Sequence, residues 1–83
     1  MSTAKEIEDL LNESLDISYV EVRDLTSTHK NHTQKPAGQG HYKLTIAAKE
    51  LEAMPLLERH RCIYRILDSL MNNKIHALSI NFC

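Results

Sequence analysis

Between Pro55 and Ile80 the chain reads PLLERHRCIYRILDSLMNNKIHALSI, and its apolar period changes partway along, which limits what it can fold into more than any other feature. Leu56, His60, Ile63, Leu67 and Leu70 recur at spacings of four and three, the stripe of a helix lying on a core, and Leu57, Tyr64 and Met71 widen it. Pro55 suits the first helical position and Asn72-Asn73 suits a stop, so the spacing predicts one helix from about Pro55 to Met71. After the stop the period falls to two. Strict alternation then places His76, Leu78, Ile80 and Phe82 on one face of a strand, Ile75 to Phe82.

Two further strands precede the helix. Ile17 to Leu25 alternates Val20 and Val22 against Glu21 and Arg23, and Tyr42 to Ala48 alternates Tyr42, Leu44 and Ile46 against Lys43 and Thr45. They read as an antiparallel pair. A strand, helix, strand crossover is right-handed and sets the third strand parallel to the second. At the start, Thr3-Ala4-Lys5-Glu6 matches a capping box, and Ile7, Leu10 and Leu11 mark one face of a first helix ending near Ser14. Lys49 to Met54 reads as a short helical lead-in. The order is αββαβ: an α+β fold with a three-stranded mixed sheet and helices packed on one face.

Composition adds bounds. Eighty-three residues make one small domain, 1–83, and 42% hydrophobic with 25% charged is ordinary for a chain with a core. No apolar run approaches the roughly 18 residues of a membrane helix, and the first residues lack the pattern of a signal peptide, so a cytoplasmic protein is expected. Cys62 and Cys83 fit neither a metal-ligand pair nor a disulfide scaffold, and Cys62 reads as a small buried hydrophobe. Net charge is −1 but segregated: residues 1–24 carry seven acids against Lys5 and Arg23, and the remainder carries eight bases against four acids. A basic face is therefore conceivable, although packing can equally neutralise it.

From Thr26 to Gly40 the chain shows no apolar periodicity, a long connection for so small a domain, and such loops tend to be functional or mobile. It holds His29 and His32, and His41 stands at its far edge. Five histidines in this length is dense, and imidazole is a good ligand for zinc, copper or a cluster iron. Each also has a plainer reading. His60 on the stripe is a satisfied core histidine, His76 a hydrogen-bonding residue at a strand start, and the loop histidines solvated side chains. There is no HExxH, no CxxC and no glycine-rich phosphate loop, and no nucleophile with a recognisable base, so no enzyme is expected.

The residues Leu57-Glu58-Arg59-His60-Arg61-Cys62-Ile63-Tyr64, followed by Ile75-His76-Ala77-Leu78-Ser79-Ile80 and preceded by Pro36-Ala37-Gly38 and Gly40-His41-Tyr42, resemble the BolA family over nearly the whole chain. The resemblance implies the same αββαβ fold, related to the type II KH domain. It also implies a non-enzymatic partner of monothiol glutaredoxins, sharing a bridging [2Fe-2S] cluster in iron–sulfur homeostasis. The glutaredoxin would supply its active-site cysteine and a glutathione thiol. This chain would supply His76 and a second ligand from the loop, where it carries histidines and no cysteine: His32 or His41, with His29 in reserve. Alone, such a chain is expected to be a monomer or weak homodimer.

The second implied role is a DNA-binding transcriptional regulator of stress response and cell morphology. A KH fold grips nucleic acid through a GxxG loop, which this chain lacks, its only glycines being Gly38 and Gly40. DNA contact would fall to Arg59, Arg61, Arg65, Lys35 and Lys74, acting on phosphates and therefore salt-sensitive, unless these form only a solvated helix face.

Overall fold

The computed structural model describes residues 2–25, 40–71 and 73–83. Its elements run α1 (Thr3–Ser14), β1 (Ile17–Asp24), β2 (Gly40–Ala48), α2 (Lys49–Glu52), α3 (Leu56–Ile66), α4 (Asp68–Met71) and β3 (Ile75–Phe82). The sheet has the order β1-β2-β3, with β1 antiparallel and β3 parallel to the central β2. This is the α+β architecture that the two periods predict. No helix among the described residues is long and apolar enough to cross a membrane.

Because strand side chains alternate, β2 sends Tyr42, Leu44, Ile46 and Ala48 into one buried layer, where they meet Ile7 and Leu11 of α1, Leu51 of α2, Cys62 and Ile63 of α3, and Leu67, Leu70 and Ile75. Cys62 is buried at 5% exposure, as its reading as a small hydrophobe requires. The opposite face of the sheet carries Glu21 and Arg23 from β1, Lys43 from β2, and Ser79 and Asn81 from β3, all exposed. The α1–β1 corner is tied to α2 twice: Lys49 N–H donates to the Asp16 carbonyl at 3.1 Å, and Asp16 N–H donates to the Glu50 carboxylate at 2.9 Å.

Local details depart from the sequence reading. The cap of α1 is Ser2, whose hydroxyl accepts from Lys5 N–H at 3.1 Å. Glu6 does not reach back as a capping box needs, because its carboxylate accepts from Lys74 Nζ at 2.9 Å. Pro55 is the cap of α3 and not its first residue, which suits a residue already extended at ψ 157°. The expected single helix to Met71 is interrupted at Leu67, with φ −95° and ψ 11°, and α4 completes it. Its end is closed by Asn73, whose side-chain amide donates to the Ser69 carbonyl at 2.8 Å; Asn72 lies outside the described residues.

The stripe itself is rotated. Cys62, Ile63 and Leu67 are buried, whereas Leu56 and Leu57 stay 61% and 60% exposed and Tyr64 40%. Leu56 points in nearly the direction of Leu67 but lies in the first turn, beyond the reach of the core. Leu57 and Tyr64 stand almost opposite to Cys62 and Ile66, because 3.6 residues per turn carries them round the helix.

Candidate metal centre

Two histidines predicted as ligands meet where β2 and β3 begin. The ring centroids of His41 and His76 lie 5.2 Å apart, with the planes tilted at 54°. Parallel pairing causes this, since it sets the starts of both strands side by side. Gly40 N–H donates to the Lys74 carbonyl at 3.1 Å and joins the two starts, and Leu25 N–H donates to the His41 carbonyl at 2.8 Å, bringing in the end of β1.

A slip in the ladder decides which way His76 faces. Gly40 pairs with Ile75, but His41 pairs with Ala77, so His76 is an extra residue on β3. Before the slip Ile75 is buried at 1% exposure. After it Leu78, Ile80 and Phe82 pack on that same core. The extra residue absorbs the parity change, and His76 is exposed beside the half-buried His41. Strict alternation had placed His76 on the face of Leu78, Ile80 and Phe82; the bulge overturns this. The signal was in the sequence, because Ile75 and Leu78 are three apart and cannot share a face in a regular strand.

Beside the pair lies a hollow of about 250 Å³ lined by Leu25, His41, Tyr42, Ala77, Leu78 and Ser79. Imidazole nitrogens bind zinc-like ions at about 2.1 Å, which puts the centroids of two ligands on one tetrahedral ion roughly 5 Å apart. The observed separation fits two imidazoles on one metal. It does not close a four-ligand shell, since among the described residues no group of three His, Cys, Asp or Glu is placed to hold a metal ion. The other donors have to come from elsewhere. His29 and His32 lie outside the described residues.

The remaining candidates are dispersed. His60 is half-buried with its ring edge-on to Phe82, 5.2 Å between centroids and 85° between planes. The Arg59 guanidinium stands 5.7 Å from the centre of the same Phe82 ring and donates through Nε to the Met54 carbonyl at 2.8 Å. Both belong to packing at the far end of β3, a role for which Phe82 was the unrecognised aromatic partner. Lys74 is held by Glu6. Arg61 and Arg65 are exposed, lining a groove of about 250 Å³ with Met54, Glu58 and Cys62. Lys35 is outside the described residues. Of the basic candidates, Arg61 and Arg65 thus share one groove, while Arg59 and Lys74 are engaged within the fold.

Comparison with known proteins places this arrangement. The Arabidopsis thaliana SufE-like protein 1, chloroplastic/mitochondrial, is 31% identical over 84 residues, covering 95% of this chain but 23% of that protein. A Haemophilus influenzae protein named DNA-binding transcriptional regulator BolA is 28% identical over 54 residues, 65% of this chain and 52% of its own length. The chain thus spans between about a quarter and a half of these relatives. Among solved structures, BolA1 from Arabidopsis thaliana superposes with a TM-score of 0.83 at 26% identity, over 99% of this chain and 90% of that one. Residues 11–83 match the model of the BolA-like protein family, so the mixed sheet and the crossover helix are those of a family fold, and the chain belongs to the BolA-like proteins.

Proposed function

We propose that this chain is a non-enzymatic partner of a monothiol glutaredoxin and holds a bridging [2Fe-2S] cluster jointly with it, His76 and His41 being its two ligands. The observation that carries the reading is the 5.2 Å approach of two imidazoles at the mouth of the sheet, one exposed and one half-buried. Each iron of a [2Fe-2S] cluster takes two bridging sulfides and two terminal ligands, so a pair of imidazoles would satisfy one iron and leave the other to a second protein's thiols. When bound, the cluster would supply the redox chemistry. This chain's residues bind and orient: β2 fixes His41, the bulge turns His76 outward, and the hollow beside them leaves room for a partner's loop. His32 remains the alternative second ligand.

Mixing the chain with a cluster-loaded monothiol glutaredoxin and recording the visible absorption and circular dichroism tests this. Wild-type protein should shift the bands toward mixed thiolate and imidazole ligation. H76A should abolish the shift, H41A should abolish or strongly reduce it, and H60A should leave it intact. No shift with wild type, or a shift that survives H76A, contradicts the proposal.

DNA contact is the second reading, favoured by the name of the Haemophilus influenzae relative and by Arg61 and Arg65, exposed one helical turn apart. Arg59 and Lys74 have partners within the fold, so among the described candidates the phosphate contacts would fall to Arg61 and Arg65. This reading predicts sequence-preferring mobility shifts at physiological salt, weakened by R61A/R65A. Shifts without preference that vanish at moderate salt would reduce it to charge attraction.

A further inference from the structure

β3 is an edge strand, and its composition differs from that of the other edge. β1 carries Glu21, Arg23 and Asp24, charges of the kind that discourage edge-to-edge pairing. β3 reads IHALSINF, with no Asp, Glu, Lys, Arg or Pro. Its one blunting device is the bulge at His76, which leaves a regular stretch from Leu78 to Phe82. The direction of its backbone groups follows from one bond: Cys83 N–H donates to the Ile46 carbonyl, so Cys83, and by alternation Asn81 and Ser79, face β2. Leu78, Ile80 and Phe82 therefore direct their N–H and C=O groups away from the sheet, and no strand covers them among the described residues.

We propose that β3 pairs antiparallel with β3 of a second copy of this chain, about a two-fold axis at Ile80. In that register Ile80 meets Ile80, Leu78 meets Phe82, and every outward N–H and C=O of the stretch finds a partner. The side chains match as well. On the core side, half-buried apolar groups meet one another; on the open side, exposed Ser79 stands opposite Asn81, a neutral polar pair able to hydrogen-bond. No like charges meet, whereas pairing through β1 would bring acids and arginine into the seam. Two three-stranded sheets become one continuous sheet, an isologous contact that closes on itself. His41 and His76 lie outside the paired stretch, so this inference does not rest on the proposed cluster site.

Sedimentation equilibrium of the full chain under reducing conditions, which excludes a disulfide through Cys83, tests the pairing. Wild type should associate reversibly with concentration. S79K/N81K, which sets lysine opposite lysine at two exposed positions, should raise the dimer dissociation constant at least tenfold with an unchanged circular dichroism spectrum. S79E/N81E should do the same, and an equimolar mixture of the two variants should regain association. Wild type that stays monomeric throughout, a dimer indifferent to S79K/N81K, or a mixture that stays monomeric overturns the proposal.

Discussion

At the scale of single residues, burial and not apolarity alone separates the side chains of α3 that hold the fold from those that do not. Ile63 is fully buried against the sheet, and Leu57, six positions earlier, is 60% exposed. Removing the Ile63 side chain leaves a cavity in a packed layer, so I63A should cost about 2–5 kcal/mol in urea unfolding. L57A should stay within about 0.5 kcal/mol. Equal losses would mean that the helix is rotated from the orientation described. Both residues carried the same weight in the sequence, because spacing reports direction around a helix and is blind to where the core ends. Leu56 was misplaced for that reason, and His60 for a related one. Its position on the stripe was legible, but its partner was Phe82, a residue distant in sequence.

At the scale of elements, the three strands and first helix were legible because alternation and the 3.6-residue period are local properties. The continuous helix to Met71 was not, since its interruption at Leu67 leaves the apolar spacing unbroken. The bulge on β3 is the element on which the proposed site depends, and it makes a sharp prediction. Deleting Ala77 removes one residue between Ile75 and Leu78, restores a regular ladder, and sets His76 directly beside His41 with both apolar sets still in the core. The shortened chain should keep a cooperative thermal transition. Deleting Ser79 instead moves Ile80 and Phe82 to the open face and should abolish that transition at 37 °C. If both deletions behave alike, the parity account of β3 is wrong.

Across the whole molecule, the chain separates its labour between the two ends of its sheet. At one end α3 begins, and His60, Arg59 and Phe82 close the packing. At the other, β2 and β3 begin together and present His41 and His76. The charge segregation seen in the sequence is partly internal: Lys74, just before β3, is bound to Glu6 of α1, a half-exposed contact worth about 0.2–1 kcal/mol. The family resemblance put His76 first among the ligands and favoured His32 as its companion, with His41 and His29 behind it. The parallel pairing expected from the crossover sets the starts of β2 and β3 side by side, and the ladder then brings His41 to His76. The direct test is hyperfine spectroscopy of the reduced cluster in the complex between glutaredoxin and this chain, with its histidines labelled with nitrogen-15. The account predicts strong coupling to two imidazole nitrogens, one lost in H76A and the other in H41A; coupling to none, or coupling unchanged by both substitutions, would contradict it.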